Sequence, residues 1–327
     1  MEIEIIKYLT TRKITNLLKN RISYFLSLVT KKPKIIGYPV TLSIEPAAIC
    51  QLHCPECILG SNQLKRKQIF IEQFLYKKII DQTSDYLCYL MLYFQGEPFL
   101  SPHIFEMIKY ASEKKIFTAT STNAQNIDEI MASKIVISGL KKLIISLDGV
   151  EQTSYQKYRI GGNFEKTLES IHNIKKEKEK NNSKYPIIEL QFIVFKHNEK
   201  EIGKFIDLAK QLKVEKYTIK SAQIYNFENK TNLIPSIKKY SRYIYKNNQW
   251  QLNKKIKNHC IKSWQSAVIT TEGDLVPCCY DKNAEYKYGN LIADSLFSLW
   301  HNETANKFRK RLLTNRSQIT ICKNCYE

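Results

Sequence analysis

Between residues 40 and 220 the sequence alternates, with short links, between short β-branched or aromatic runs and longer segments of helical period. The strand-like runs are VTLSIE (40–45), YLCYLMLYF (86–94), FTATST (117–122), LIISLD (143–148), IIELQFIVF (187–195) and KYTIK (216–220). Helical patterns lie between them near 70–84, 101–115, 127–138, 163–180 and 199–212. Ser101 reads as the N-cap of the second helix, with Pro102 in its first turn, and Asn198 as the N-cap of the last. Strands that alternate with helices pair in parallel, because the crossover helix returns the chain to the same end of the sheet. Six such units are too few to close an eightfold barrel. The expected α/β fold is a partial (βα)6 barrel of parallel strands, spanning 38–220.

The loop after the first strand, EPAAICQLHCPECILG (45–60), holds three of the nine cysteines at Cys50, Cys54 and Cys57. Loops at the carboxyl ends of parallel strands are where α/β folds place their chemistry. Three thiolates can hold three irons of a [4Fe–4S] cluster and leave one iron open to a small molecule. They can equally hold zinc, with His53 or a distant cysteine as fourth ligand. The spacing alone leaves both readings open. Cys260, Cys278, Cys279, Cys322 and Cys325 form a second group, and Cys88, on an apolar strand, reads as core. Clusters of C-x-x-C type without a signal-peptide pattern indicate metal sites in a reducing, cytoplasmic setting.

Each later strand also ends in a polar knot on the same rim: QGEP (95–98), STN (121–123) and SLDG (146–149). Gly96 permits a backbone shape that offers main-chain groups to a ligand. Glu97 offers an acceptor for an ammonium, and Arg159, in YRIGG, a fork for a carboxylate. An amine, a carboxylate and a ribose together describe S-adenosylmethionine (SAM).

With these residues in place, the chain resembles radical SAM enzymes that carry a C-terminal SPASM or twitch auxiliary-cluster domain. CQLHCPEC matches the family's C-x3-C-x2-C signature. QGEP is similar to its Gly-Gly-Glu-Pro motif, with Gln95 for the first Gly, and TNA (122–124) to Thr-Asn-Gly, with Ala124 for Gly. Glu56 stands where an aromatic residue is common. The resemblance implies that Cys50, Cys54 and Cys57 hold a SAM-binding [4Fe–4S] cluster, and that Gly96, Glu97, Asn123, Ser146 and Arg159 bind SAM. It also implies that reductive cleavage of SAM gives a 5′-deoxyadenosyl radical, which abstracts hydrogen from a substrate C–H. Cys260-x12-Gly273-x4-Cys278 with Cys322-x2-Cys325 resembles the short, single-cluster form of the auxiliary module. Those four cysteines would saturate a second [4Fe–4S] cluster that accepts an electron, with Cys279 as a substitute for Cys278. A structural zinc ribbon is the competing reading of this module.

The function expected from the resemblance is dehydrogenation of a small polar or carbohydrate-like molecule, with an electron donor such as flavodoxin or ferredoxin. The alternatives are a maturase acting on a ribosomally made peptide or protein side chain, and a non-enzymatic iron–sulfur or zinc protein. Against the maturase, residues 1–40 are too few for a winged peptide-recognition domain.

The remaining segments are an N-terminal amphipathic stretch (1–37), a polar bridge (221–259) that reads as an exposed linker, and a small α+β iron–sulfur module (260–327). In the module, SAVITTEGDLVPCC reads as a hairpin turning at Glu272-Gly273, followed by one helix over SLFSLWHNETANKFRKRLL. Residues 1–40 hold eight Lys or Arg against two Glu, with Ile14, Leu17, Leu18, Ile22, Phe25 and Leu26 at helical spacing. This stretch is expected to pack on the main domain; a membrane-surface or partner helix is the alternative. The formal charge of +20 comes with a Lys-, Ile-, Asn- and Tyr-rich composition along the whole chain, so a nucleic-acid partner is not expected. No apolar run is long enough to span a bilayer.

Overall fold

The computed structural model describes residues 3–225, 227–229 and 231–325. The ends of the 1–37 and 260–327 segments and two positions of the bridge lie outside them. The expected units form in order. They are β1 (Thr41–Ile44), α2 (Gln73–Thr83), β2 (Tyr89–Met91), α3 (Ile104–Glu113), β3 (Phe117–Thr122), α4 (Glu129–Ile137) and β4 (Lys142–Ser146), preceded by α1 (Thr11–Thr30). A short α5 (Gln152–Tyr155) comes next, then α6 (Phe164–Lys180), β5 (Ile187–Val194), α7 (Ile202–Gln211) and β6 (Lys216–Ser221). Each of β1 to β5 pairs in parallel with the next, so β1 to β6 form one parallel run.

The burial of β5 shows how the sheet sorts its side chains. Ile188, Leu190, Phe192 and Val194 are fully buried in the main core, while Glu189, Gln191 and Ile193 point to the other face. Period-two alternation thus places apolar residues against the helices and polar ones inside the curve of the sheet.

The sheet does not stop at β1. The bridge folds into a hairpin, β7 (Tyr243–Lys246) with β8 (Gln249–Leu252), and the chain then passes α8 (Lys262–Gln265) into β9 (Ser266–Ile269). β9 pairs in parallel with β1, and β10 (Asp274–Val276) and β11 (Gly289–Asn290) continue antiparallel from it. The strand order is β11-β10-β9-β1-β2-β3-β4-β5-β6. The barrel therefore stays open, because β9 and not β6 takes the free edge of β1. The cysteine-bearing module is a continuation of the core sheet.

Several local expectations change. Ser101 does not cap α3: residues Pro98–Leu100 form a 3₁₀ turn first, capped by Glu97, and the helix begins only at Ile104. Asn198 does not cap α7. Its Oδ1 accepts from the Phe195 N–H at 2.7 Å and its Nδ2 donates to the Asp148 carbonyl at 2.9 Å, so it ties the ends of β4 and β5 together. The buried stretch 86–94 pairs only over Tyr89–Met91. The last helix divides into α9 (Leu296–His301) and α10 (Glu303–Thr314), because Asn302 turns extended and caps the second. The bridge is no exposed linker. Ile224, Ile234 and Tyr243 are buried, and the Tyr243 hydroxyl accepts from the Ile224 N–H at 2.8 Å. Asn324 of the terminal module donates to the Ile224 carbonyl at 2.9 Å. Cys88 lies in an apolar cluster with Ile5, Val40 and Phe117, as a core residue does.

Candidate active site

The loops that leave β1 to β6 enclose one polar cavity of about 240 Å³. Cys50, Cys54 and Cys57 line it, and so do Gly96, Glu97, Asn123, Ser146 and Arg159. The residues expected at the rim are scattered over 110 positions of sequence (50–159) and meet because parallel strands deliver every one of their loops to the same end.

The cysteine loop is anchored from below by Glu45, which is fully buried at the end of β1. Its carboxylate accepts from Arg66 Nη1 and Nη2, at 2.8 and 2.9 Å. It also accepts from the Gln95 N–H at 3.2 Å and the Thr271 N–H at 3.0 Å. One carboxylate thus joins the loops after β1, β2 and β9. Burial pushes its pKa up, and the Arg66 charge opposes that. Arg66 reaches further, donating from Nε to the Lys282 carbonyl at 2.7 Å.

Gly96 adopts φ +74°, and a Cβ there would stand 2.3 Å from the Ala47 carbonyl oxygen. A side chain at this position would push the cysteine loop away. Glu97 is held by three protein donors: the Thr122 hydroxyl and the Asn123 N–H, both at 2.8 Å, and the Phe99 N–H at 3.2 Å. Its burial raises its pKa, against the lowering effect of those bonds. The carboxylate retains acceptor capacity toward the cavity.

Donors are aimed at the sulfurs. Asn123 Nδ2 lies 3.6 Å from Cys50 Sγ, the Leu52 N–H 3.4 Å from the same atom, and Arg159 Nη1 3.9 Å from Cys54 Sγ. Burial drives the Cys50 thiol up to about 12, and raises Cys54 against the lowering effect of Arg159. A metal takes cysteines as thiolates, and N–H donors at the sulfurs stabilise and tune a thiolate-bound cluster. His53, the other fourth-ligand candidate, is exposed and does not line the cavity. Among the described residues, no three His, Cys, Asp or Glu side chains converge on a point that would hold a single metal ion. The donor set fits a cluster in which each iron takes one sulfur.

Sequence reasoning missed several of the site's residues and contacts. Asp148, fully buried, takes Arg159 Nε at 2.7 Å and Nη2 at 2.6 Å, so the guanidinium expected to be free for a carboxylate already carries one. Only the position of Asp148 in SLDG signalled it. Glu56 is buried and accepts from the Tyr225 N–H at 2.6 Å, joining the cysteine loop to the bridge. Beyond the rim motifs, Lys220 and Lys282 line the cavity together with Arg242. Burial lowers the pKa of both lysines.

Cys260, Cys278, Cys279, Cys322 and Cys325 line a second, small cavity between the module's elements. Cys279 is the exposed member, and both it and Cys278 face this space. Arg316, almost wholly buried, donates from Nη2 to Cys325 Sγ at 3.3 Å. Burial lifts Cys322 to about 11, and Arg316 pulls it back.

The family model of the radical SAM superfamily matches residues 44–216, more than half of the chain. The chain belongs to the radical SAM superfamily. The model of the SPASM iron–sulfur cluster-binding domain matches residues 260–326. A radical SAM core with a SPASM domain implies SAM, a SAM-binding cluster and auxiliary iron–sulfur binding. Among curated radical SAM relatives, the chain is 28% identical over 166 residues to Fe-coproporphyrin III synthase of Methanosarcina barkeri, 50% of this chain and 39% of that protein. It is 24% identical over 182 residues to mycofactocin maturase MftC of Mycolicibacterium smegmatis, 56% of this chain and 44% of that protein. The matches span about half or less of the length of these relatives. Among solved structures, SuiB of Streptococcus suis bound to S-adenosylmethionine superposes with a TM-score of 0.66 at 16% identity, covering 94% of this chain and 76% of that one. BtrN in complex with AdoMet and 2-DOIA superposes with a TM-score of 0.57 at 17% identity, covering 90% of this chain and 95% of that one. These likenesses describe the fold. Among the described residues no helix is long and apolar enough to cross a membrane.

Proposed function

We propose that this chain is a cytoplasmic radical SAM oxidoreductase that dehydrogenates a small polar, carbohydrate-like substrate. The observation that carries the reading is the convergence of Cys50, Cys54, Cys57, Glu97, Asn123, Ser146 and Arg159 on one cavity. When bound, the first [4Fe–4S] cluster supplies the electron that cleaves SAM, and the auxiliary cluster accepts the electron that substrate oxidation releases. Cys50, Cys54 and Cys57 hold the first cluster; Cys260, Cys278, Cys322 and Cys325 hold the second.

The protein's own part is to bind, orient and exclude water. Glu97 accepts the SAM ammonium, and its bonds to Thr122 and Asn123 fix where that ammonium sits. Asn123 and Ser146 meet the ribose and carboxylate side of SAM with hydroxyl and amide groups. Arg159 adds positive charge beside the carboxylate, and Asp148 sets its direction. The bridge closes the cavity from the side through Glu56 and Tyr225, so a radical formed inside is kept from bulk water. Lys220, Arg242 and Lys282 on the wall favour a substrate that carries negative charge, such as a phosphorylated or carboxylated sugar.

The likeness to SuiB and to the mycofactocin maturase supports a second reading, in which the substrate is a peptide; SuiB has been solved bound to the precursor peptide SuiA. Anaerobically reconstituted protein, reduced with dithionite, is expected to convert SAM to 5′-deoxyadenosine. Failure to form that product with both clusters loaded rejects both readings. Acceleration by sugar phosphates or uronates, with a ketone as product, supports the first; acceleration only by peptides assigns the second.

A further inference from the structure

Helix α1 packs on the domain with the opposite face from the one its sequence advertises. Its buried residues are Lys13, Asn16, Asn20, Ser23 and Ser27. Ile14, Leu18, Ile22, Phe25 and Val29 stand 46%, 59%, 53%, 65% and 67% exposed. They follow one another at three- and four-residue steps, which makes one continuous apolar stripe along the helix.

This orientation is held by specific bonds. Asn16 donates to the Tyr38 carbonyl at 3.1 Å and accepts from the Tyr38 N–H at 2.9 Å, while Asn20 donates to the same carbonyl at 2.7 Å. The Ser23 hydroxyl accepts from the Ile36 N–H at 3.0 Å, and Ser27 from the Lys34 N–H at 2.8 Å and the Trp264 indole at 3.1 Å. Lys13 Nζ donates to the Lys115 carbonyl at 2.7 Å. Turning the helix to bury its apolar stripe would strand these buried backbone groups, each at a cost comparable to a lost hydrogen bond.

The charge beside the stripe has one sign. α1 contains no acidic residue. Lys19 and Arg21 flank it, Lys31 and Lys32 follow its end, all four are exposed, and none has an ion-pair partner among the described residues. Tyr38, Lys115 and Trp264, which α1 grips, each lie just before a strand, β1, β3 and β9 in turn. The polar face of α1 therefore covers the amino ends of the strands, and the stripe looks outward from there, opposite the rim that carries the cysteines.

We propose that the outer face of α1 is a docking surface for an anionic lipid bilayer, lying in the plane of the headgroups with Phe25 and its neighbours inserted. An apolar face flanked by Lys and Arg is the composition such interfacial helices need. A second copy of the chain fits less well, since a twofold contact through this face would set the same cations against each other. Docked this way, the molecule keeps the cavity mouth turned away from the lipid.

Sedimentation of the full chain with vesicles tests this. The protein is expected to sediment with vesicles of equimolar phosphatidylcholine and phosphatidylglycerol, far less with phosphatidylcholine alone, and to be released as salt rises. Leu18→Gln and Phe25→Ser each lower the partition coefficient roughly tenfold. Both sites are exposed, so an unchanged circular dichroism spectrum is expected and keeps the comparison clean. Lys19→Glu with Arg21→Glu lowers binding to the anionic vesicles alone. Absence of binding to the mixed vesicles, or equal binding to both kinds, overturns the proposal. A dimer in analytical ultracentrifugation that Phe25→Ser dissolves, without vesicle binding, gives the face to a second copy and overturns it as well.

Discussion

Asp148 grips Arg159 through one oxygen, Oδ2, at 2.7 Å from Nε and 2.6 Å from Nη2, and through the other accepts from the Ile193 N–H at 2.6 Å. The carboxylate thereby locks a guanidinium, a cysteine sulfur and strand β5 into one arrangement. Asp148→Asn keeps the shape and removes the charge. It is expected to weaken SAM binding on the order of tenfold by calorimetry, since Arg159 loses the partner that aims it. Equal SAM affinity in the variant would show that Arg159 needs no such support.

Ala124 sits at φ +55° and is fully buried. An L-residue in the left-handed region carries a penalty that glycine escapes. Ala124→Gly is expected to stabilise the fold by about 1 kcal/mol in urea titration. Destabilisation would mean that the Ala124 methyl contributes more by packing than its backbone loses by strain.

The Glu45–Arg66 pair is almost fully removed from solvent, with side-chain exposures of 0% and 4%. Breaking it leaves a buried charge alone, so Arg66→Met is expected to destabilise by about 3–5 kcal/mol. The exposed Lys176–Glu129 pair is the control: Lys176→Met should leave the melting temperature where it was, because water screens that pair. Comparable losses in both variants would contradict the assignment.

Replacing Cys50, Cys54 and Cys57 together by Ala is expected to lower iron by about four atoms per chain and to leave the auxiliary cluster's EPR signal. Iron content equal to that of the unaltered chain rejects the cluster assignment.

Arg316 stands beside the auxiliary cysteines, with Nη2 3.3 Å from Cys325 Sγ. Positive charge and hydrogen bonds at cluster sulfurs favour the reduced state. Arg316→Gln is therefore expected to lower the midpoint potential of the auxiliary cluster on the order of tens of millivolts in a redox titration. A rise would show that burial, not this charge, sets the potential.

Much of the site is legible in the sequence because it obeys local rules. C-x3-C-x2-C, QGEP and STN each follow a strand, and the parallel topology then brings every strand end to one rim without further information. The βα order is legible for the same reason: period two and period 3.6 are properties of short windows. The caps at Ser101 and Asn198 were not, because a 3₁₀ turn and a tie between strand ends used those residues first.

The spacing of its apolar and cysteine residues was enough to specify the units of this chain and the end of the sheet where chemistry would gather. Tertiary structure alone decided three things: that β9 extends the sheet at β1, that Asp148 and not an open site occupies Arg159, and that α1 turns its polar side inward. Helical period shows that a helix has two faces. Which face is buried depends on what the neighbouring chain must satisfy. Here the backbone of residues 34–38 and the Trp264 indole needed partners, and Asn16, Asn20, Ser23 and Ser27 supply them.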